Sequence, residues 1–297
     1  MKYTNRIDCH SHSAYSPDSQ TPAAEMCARA LELGLTAYAI TDHCECDFFD
    51  PAHPIVQPKK SVPMAAREED PSDEEQFNYA KTTAQSLKTV TELKAAYAGK
   101  LELLAGVEIG QAMQNLEAAE QVTAKPYDLI IGSLHRAAGL PDYYFIDYAQ
   151  LDSHDLLELL RDYYEELYRT ACWNKFDTLG HLTYPLRYIV GDFGIPVDIH
   201  RCDDIIEQIL KTLAQNGKAL EINTSGLRQK LGHTMPEVAY VKWFRELGGE
   251  FITIGSDAHN ARDLGAGIEQ GMERAYEAGF RHITYFKQRK PVLLPLL

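Results

Sequence analysis

Short apolar runs alternate with amphipathic stretches along most of the chain, and this alternation restricts the possible folds more than any other feature. The apolar runs predict strands, and the stretches with an apolar residue every three or four positions predict helices. Strand–helix alternation is typical of a parallel sheet, because each helix returns the chain to the start of the next strand. Seven such units in 297 residues favour a closed or nearly closed α/β barrel over a doubly wound sheet.

The predicted elements account for most of the chain. The strands are predicted at 3–10, 35–43, 100–110, 127–135, 176–182, 218–226 and 250–259, with a last short strand at 282–286. The helices are predicted at 21–34, 77–98, 153–174, 203–217, 236–249 and 261–278. Residues from about 44 to 78 are rich in proline and charge, so we expect a surface insertion there. The prediction is therefore a single domain over residues 1–297 that carries one insertion.

Composition argues against several classes of protein. A net charge of −14 disfavours a protein that binds nucleic acid by neutralising its phosphates. No apolar run is long enough for a membrane span, and the first ten residues lack an apolar signal region, so we expect a cytoplasmic protein. The six cysteines are then expected to be free thiols. Cys44 and Cys46 are weak candidates for metal binding, since no second cysteine pair lies at zinc-finger spacing. The sequence gives no indication of an oligomeric state.

Ligand-type side chains lie at the ends of six of the seven predicted barrel strands. In chain order they are His10, His12, Asp42, His43, Glu108, His135, His181, Asp257 and His259. A single histidine at a strand end is usually a core or surface group, but here six of 11 histidines are at strand ends. Because the carboxyl ends of parallel barrel strands meet at one face, we expect these side chains to converge there.

The local spacing agrees with a metal site. His10 and His12 are two positions apart on a strand and therefore point to the same side, and Asp257 and His259 repeat this spacing. Asp8 has the same parity and is a candidate to orient a ligand. Histidine and carboxylate ligands suit Zn²⁺, Mn²⁺ or Fe²⁺. The candidates are too many for one ion, so we expect two to three divalent ions and, from their clustering, hydrolysis of a phosphoester.

The ordered motifs resemble those of a known superfamily. They are DxHxHx(5)D at 8–18, TDH at 41–43, GVE at 106–108, GSLH at 132–135, GH at 180–181 and SDAH at 256–259. This set resembles the polymerase and histidinol phosphatase (PHP) superfamily, and INTSGLR at 222–228 favours its histidinol-phosphate phosphatase branch. The resemblance implies a single PHP-type domain, a distorted (β/α)7 TIM-like barrel with a metal centre at the C-terminal ends of the strands.

The resemblance also implies three sets of metal ligands. By position they are His10, His12, Glu108 and Asp257 for the first ion, Glu108, His135 and His181 for the second, and Asp18, His43 and His259 for the third. Glu108, Asp257 and His259 are expected to be catalytic as well. Some members of the superfamily have histidine where Asp18 stands, and a carboxylate there favours harder ions.

The implied activity is hydrolysis of L-histidinol phosphate to L-histidinol and phosphate, a step of histidine biosynthesis, by attack of a metal-bound hydroxide on phosphorus. Arg187 and Arg228 follow the fifth and sixth predicted strands and are candidates to bind the phosphate, although each could instead be a solvated loop residue. Arg136 is a weaker candidate. The aromatic segment 141–148 is expected either to line the pocket or to pack on the barrel rim.

Three alternatives remain open at this point. A phosphoesterase of the same fold could act on another small phosphate, such as a nucleotide or a sugar phosphate. A nuclease like those on the polymerase side of the superfamily is disfavoured by the charge of −14. A metal-binding protein without catalytic activity would take up metal but turn over no phosphoester.

Overall fold

Seven parallel strands form the barrel, and their spatial order follows the chain. The computed structural model describes residues 3–52, 62–67 and 70–297. The strands of this sheet are β1 (Ile7–Asp8), β2 (Ala37–Ile40), β3 (His43–Glu45), β4 (Glu102–Gly110), β5 (Leu129–Ser133), β6 (Thr178–Leu179), β7 (Ala219–Asn223) and β8 (Ile252–Gly255). The order is β1-β2-β4-β5-β6-β7-β8, and β3 pairs with β4 beyond the end of β2. The predicted barrel is confirmed.

Backbone hydrogen bonds between the first and last strands close the barrel. The amide of Cys9 donates to the Ile254 carbonyl at 2.8 Å, and the amide of His12 donates to the Ala258 carbonyl at 2.8 Å. The chain segment that carries His10 and His12 is thereby held beside the segment that carries Asp257. This closure brings the two ends of the sequence into one site.

Helices surround the sheet. They are α1 (Ala23–Glu32), α2 (Pro71–Glu75), α3 (Tyr79–Tyr97), α4 (Leu116–Thr123), α5 (Ser153–Trp173), α6 (Asp203–Gln215), α7 (Ser225–Arg228), α8 (Val238–Glu246) and α9 (Ile268–Glu277). α5 begins at a capping box, in which the Asp152 side chain accepts from the backbone of Asp155 and the Asp155 side chain accepts from the amide of Asp152. α6 buries one face at helical spacing, from Ile205 to Leu213. None of the helices in the described ranges has the length and apolar character that crossing a membrane requires.

The second predicted strand is in fact two strands. β2 ends at Ile40 and β3 begins at His43, and both pair with β4. The two residues between them leave the ladder, and the Asp42 carboxylate accepts hydrogen bonds from the amide of Ser13 at 2.6 Å and from the Ser16 hydroxyl at 3.0 Å. This break therefore anchors the loop that follows β1.

The prediction of a surface insertion from about residue 44 is wrong for its first residues. Residues 44–48 are buried instead of lying over the surface. Their two carboxylates, of Glu45 and Asp47, are compensated inside the protein by His135 and Arg136. A charged residue can be buried when it is paired, and the sequence pattern does not reveal the pairing. Residues 53–61 and 68–69 of the insertion lie outside the described residues.

Other elements also differ from the predictions, and α7 begins inside the predicted strand 218–226. α4 was not predicted, and α9 begins at Ile268 because the preceding residues form turns. The last predicted strand is β9 (His282–Lys287), which pairs antiparallel with an unpredicted strand, β10 (Lys290–Pro295). Arg289, in the turn of this hairpin, binds Asp177 just before β6. The hairpin therefore packs at the N-terminal end of the barrel, opposite the candidate site.

Candidate metal centre

All nine predicted metal ligands converge at the C-terminal ends of the strands. Six of them form a buried group, which we call the inner cluster: His10, His12, Glu108, His135, His181 and Asp257. The other three lie at its solvent side and form the outer cluster: Asp18, His43 and His259. Among the residues that the structure describes, four groups of three side chains have ligand atoms within 4.8 Å of one another, and three of these groups consist of predicted ligands only.

The first predicted set occupies one side of the inner cluster. Nε2 of His10 lies 3.1 Å from Glu108 Oε2, and Nε2 of His12 lies 3.3 Å from Asp257 Oδ1. Asp257 has a φ of 54°, in the left-handed region that residues other than glycine seldom adopt. Its amide donates to the His10 carbonyl at 2.8 Å. The barrel closure therefore holds Asp257 in a strained conformation that places its carboxylate at the site.

The second predicted set lies on the other side of Glu108. Oε1 of Glu108 is 2.9 Å from Nε2 of His181 and 3.2 Å from Nε2 of His135, and the two histidine nitrogens are 3.3 Å apart. One oxygen of Glu108 thus faces the first set and the other faces the second. This is the arrangement that a bridging carboxylate needs.

The outer cluster centres on Asp18. Oδ2 of Asp18 lies 2.9 Å from Nε2 of His259 and 3.5 Å from Nε2 of His43. The His12 ring stacks against the rings of His43 and His259, with centroids 4.1 and 4.2 Å away. On its other nitrogen, His43 is 2.9 Å from Glu108 Oε2. His43 therefore connects the outer cluster to the inner one.

The donor set fits divalent metal ions. Nε2 of His12 and Oε2 of Glu108 are buried, and within the described ranges neither has a well-aligned hydrogen bond. Buried polar atoms without a partner are rare in folded proteins, and a metal ion would satisfy both. Imidazole nitrogens and carboxylate oxygens are suitable ligands for Zn²⁺, Mn²⁺ and Fe²⁺. The residues present therefore fit the ions that the sequence predicts.

Opposite charges compensate one another around Glu108. Burial alone would raise the pKa of Glu108, but His10, His135 and His43 outweigh it and hold this pKa well below its usual range. Conversely, burial would lower the pKa of His10, but the surrounding carboxylates, Glu108 foremost, hold it well above its usual range. In the absence of metal, protonated histidines would therefore neutralise the carboxylates.

His12, the inner-cluster histidine that stacks against the outer cluster, has a lowered pKa instead of a raised one. Burial and the neighbouring His43 and His259 hold the pKa of His12 well below its usual range. Partial desolvation would raise the pKa of Asp18, but His259 and His43 outweigh it and hold that pKa well below its usual range. His12 therefore stays neutral and keeps a lone pair available, which a metal ligand requires.

Two buried glutamates, which were not predicted as site residues, lie against predicted ligands. Glu221 Oε1 lies 2.7 Å from Nδ1 of His10, and Glu45 Oε1 lies 2.9 Å from Nδ1 of His135. A glutamate inside the apolar run KALEIN was an available signal for Glu221. Glu45 was missed because its segment was interpreted as surface.

Asp8, the predicted orienting residue, has another role. Its carboxylate accepts hydrogen bonds from the amide and hydroxyl of Ser256, at 2.9 and 2.5 Å, and from the amide of Gly265 at 3.0 Å. It contacts the backbone of His10, whereas Glu221 contacts the ring. Asp8 therefore joins β1 to the segment after β8.

The two predicted phosphate-binding arginines lie at the site but have different partners. Nη1 of Arg187 is 3.5 Å from Asp257 Oδ2, and this arginine begins a π-helical segment, Arg187–Asp192. Arg228 donates to the backbone carbonyls of Ser256 at 2.5 Å and Asp257 at 2.7 Å. Arg228 thus holds the strained backbone at the end of β8, while Arg187 has a long ion pair with a ligand carboxylate and lies 5.5 Å from the centre of the Tyr188 ring.

The weaker arginine candidate and the aromatic segment serve packing. The Arg136 guanidinium lies 3.2 Å from Asp47 and 4.2 Å from the centre of the Phe48 ring, and its side chain is 7% exposed. Within segment 141–148, Phe145 accepts from the amide of Ala65 at 2.8 Å. The segment packs on the barrel rim and holds part of the insertion.

Tyr184 is a further site residue that the sequence analysis missed. Its ring centroid lies 4.8 Å from that of His181 and 5.1 Å from that of His135. Its hydroxyl lies 3.3 Å from Asp142 and 2.9 Å from the Tyr188 hydroxyl. Tyr184 is therefore a fixed aromatic wall against the second predicted ligand set.

Comparison with known proteins now identifies the family. A family model for the PHP domain matches residues 8–225, which include seven of the nine predicted ligands. The chain belongs to the PHP domain family. A curated PHP relative, a probable histidinol-phosphatase of Thermotoga maritima, is 31% identical over 278 residues that cover 94% of each chain. A histidinol-phosphatase of Lactococcus lactis is 24% identical over 96% of each chain.

A solved structure has the same fold as this PHP protein. It is the crystal structure of histidinol phosphate phosphatase from Lactococcus lactis, complexed with zinc, L-histidinol and phosphate. The TM-score is 0.75 at 22% identity, and the match covers 97% of this chain and 99% of the other. At this identity the likeness establishes the fold alone.

Proposed function

We propose that this PHP protein is a metal-dependent phosphomonoesterase that hydrolyses L-histidinol phosphate to L-histidinol and phosphate. The observation that carries the proposal is the convergence of nine histidine and carboxylate side chains at one end of the barrel. Such a set is expensive to bury without a compensating ion. Its place at the C-terminal ends of the strands is where barrel enzymes have their active sites.

Each ligand set has a proposed role. The first and second sets would share Glu108 and hold two ions, and the outer cluster would hold a third. Divalent ions bound there would supply an activated water and neutralise charge on the phosphoryl oxygens. The catalytic contribution of Glu108, Asp257 and His259 would be to hold the positive charges of the ions in fixed positions.

Arg187 is the better candidate of the two arginines for binding the phosphate. Its side chain is 22% exposed, and its ion pair with Asp257 is long enough at 3.5 Å to be exchanged for a phosphate oxygen. Arg228 is equally exposed but already donates to two carbonyls. We propose that it contributes to phosphate binding mainly by holding the β8 end in place.

The choice of substrate rests on the relatives. Six curated relatives are named histidinol-phosphatases or probable histidinol-phosphatases, and the Thermotoga maritima protein matches almost end to end. A net charge of −14 suits a small substrate held by local cations better than a nucleic acid. We also propose a cytoplasmic location and a place in histidine biosynthesis. All six cysteines, which fall in the described ranges, are free thiols, as expected in a reducing compartment.

The test is phosphate release by protein loaded with zinc, manganese or iron. L-histidinol phosphate would be compared with a panel of nucleotide and sugar phosphates, and a chelated sample would serve as the control. We expect efficient hydrolysis of L-histidinol phosphate that the chelator abolishes. Equal turnover across the panel, or preference for another member, would support the phosphomonoesterase activity but reject L-histidinol phosphate as the substrate.

A further inference from the structure

Two ligand histidines of the inner cluster are each backed by a buried glutamate. Glu221 lies behind His10, at 2.7 Å from Nδ1, and Glu45 lies behind His135, at 2.9 Å from Nδ1. Both glutamate side chains are 1% exposed. In both pairs the other ring nitrogen, Nε2, faces Glu108, at 3.1 and 3.2 Å. The two pairs lie on opposite sides of Glu108 and repeat the same arrangement.

Glu221 is itself held in a fixed position. Its second oxygen accepts from the amide of His181 at 2.8 Å and from the side chain of Asn223 at 3.2 Å. A Cβ at Gly255 would overlap both Glu221 and His10, so a glycine is needed where β8 passes this pair. The carboxylate therefore connects two predicted ligands, the ring of His10 and the backbone of His181, from a strand that provides no ligand of its own.

Glu45 is held in a comparable way. Its second oxygen accepts a hydrogen bond from the side-chain NH₂ group of Gln111. The side-chain oxygen of Gln111, Oε1, accepts in turn from the backbone amide of His135 at 3.2 Å. A Cβ at Gly110 would overlap the Glu45 carboxylate. Gln111 has a φ of 52°, so the backbone is strained where it supports this contact.

Three other ligand histidines have weaker partners, or none among the described residues, at Nδ1. Nδ1 of His12 lies 3.2 Å from the Ser16 hydroxyl, and Nδ1 of His259 lies 3.1 Å from the Asp257 carbonyl. Nδ1 of His181 is buried and has no hydrogen bond among the described residues. Nδ1 of His43 lies 2.9 Å from Glu108, which is itself a predicted ligand. Among the described residues, glutamates that are not predicted ligands therefore back one histidine of each inner ligand set.

We propose that Glu221 and Glu45 are positioning residues that fix the Nδ1–H tautomer and ring orientation of His10 and His135, one for each inner metal ion. A neutral imidazole has one N–H group and one lone pair, so donation from Nδ1 to a carboxylate leaves the lone pair on Nε2, toward the centre. A carboxylate partner also makes the imidazole a stronger base and a better ligand. The inference rests on the proposed metal centre but does not depend on the substrate.

The test is zinc affinity, measured by competition with a chromogenic chelator. For Glu221→Ala and Glu45→Ala we expect one zinc equivalent to bind about 10–100-fold more weakly, the usual effect of removing such a partner. Glu221→Gln and Glu45→Gln keep a neutral hydrogen-bond acceptor, so these variants should lose less zinc affinity than the Ala variants. Glu166→Gln is the matched control, because Glu166 is a buried glutamate whose hydrogen bonds go to Gln114 and the amide of Ala138.

A second readout separates positioning from a general loss of structure. ¹⁵N NMR of the zinc-loaded protein should show a changed Nδ1–H resonance for His10 in the Glu221 variants and for His135 in the Glu45 variants, because this N–H group loses its carboxylate acceptor. Parent-like zinc affinity and unchanged Nδ1–H resonances of His10 and His135 in the Ala variants would overturn the inference. If the parent protein binds zinc with these effects but does not hydrolyse L-histidinol phosphate, the proposed substrate fails and the positioning role stands.

Discussion

The inner and outer clusters use the same kinds of side chain in different surroundings. Every side chain of the inner cluster is at most 5% exposed, whereas those of the outer cluster are 13% (His43), 23% (His259) and 39% (Asp18) exposed. Two inner histidines are backed by glutamates, and Glu108 is shared by both inner ligand sets. In the outer cluster, His259 is backed by the Asp257 carbonyl at 3.1 Å, and His43 is backed by Glu108, a ligand of the inner cluster.

This difference indicates how tightly the two clusters should bind metal. Buried ligands that are already held in place lose little freedom when an ion binds, and they bind it in a medium of low dielectric. Exposed ligands must be ordered first, and water competes for the ion. We therefore expect two tightly bound ions in the inner cluster and a third, more readily exchanged ion in the outer cluster.

The largest effect is expected from loss of the shared inner ligand. Glu108→Gln removes the carboxylate that faces both inner sets, so we expect both inner ions to bind weakly and activity to fall by about 10³-fold or more, equivalent to several kcal/mol of transition-state stabilisation. The measurements are metal content by mass spectrometry and initial rate. The matched control is Glu102→Gln on the same strand, because Glu102 pairs with Lys287 at the other end of the barrel. A Glu108→Gln variant with two tightly bound ions would contradict the shared role.

An outer-cluster variant should have a smaller effect that excess metal reverses. Asp18→Asn removes the carboxylate near His43 and His259, so one metal equivalent should bind about 10–100-fold more weakly. Activity should fall at limiting zinc and recover when zinc is in excess. Asp73→Asn, at an exposed position of α2, is the control. Loss of all bound metal from the Asp18 variant would show that the clusters are not independent.

The stabilisation that metal provides should increase with pH. Despite burial, carboxylates raise the pKa values of His10, His43 and His135 well above the usual value of 6.5. In the metal-free protein this contribution to the free energy of unfolding is fully present below about pH 6.5 and is lost as pH rises through the raised values. Metal binding displaces these protons, so affinity rises over the same range.

The check is the difference in Tm between metal-loaded and chelated protein, measured from about pH 6 to 8. We expect this difference to grow with pH. A difference that stays constant or shrinks would mean that the histidines do not have to release protons when metal binds.

The smallest effects are expected from substitution of Arg187 or Arg228. One substitution should affect mainly KM, and the other should also affect stability. Arg187→Ala should raise KM by about tenfold and lower Tm only slightly, because a long ion pair and a distant contact with the Tyr188 ring are lost. Arg228→Ala removes the arginine donor to the Ser256 carbonyl and one of two partners of the Asp257 carbonyl, the other being His259. It should therefore also lower the free energy of unfolding by about 1–3 kcal/mol. Steady-state kinetics and thermal unfolding of both variants provide the comparison. Equal effects on KM and Tm in the two variants would contradict these separate roles.

The sequence predicted the parts of the fold and site that depend on strand ends. The barrel and the convergence of eight of the nine side chains follow from apolar runs that end in a histidine or a carboxylate, and from the parallel direction of the strands. Asp18 lies in the loop after β1 and was predicted only from the family resemblance. The break between β2 and β3 was not predictable, because the residues that hold Asp42 come from distant segments. Glu45 and the burial of residues 44–48 were missed for a similar reason, since burial of a charge depends on a partner, here His135, that the local pattern does not contain.

The most direct test of the central claim is anomalous diffraction at the zinc edge, from crystals grown with excess zinc and then soaked in increasing concentrations of a chelator. We expect three peaks at first, two among the inner cluster and one among the outer cluster, with the outer peak lost at the lowest chelator concentration. A single ion, ions bound away from the nine side chains, or loss of an inner peak before the outer one would contradict the account.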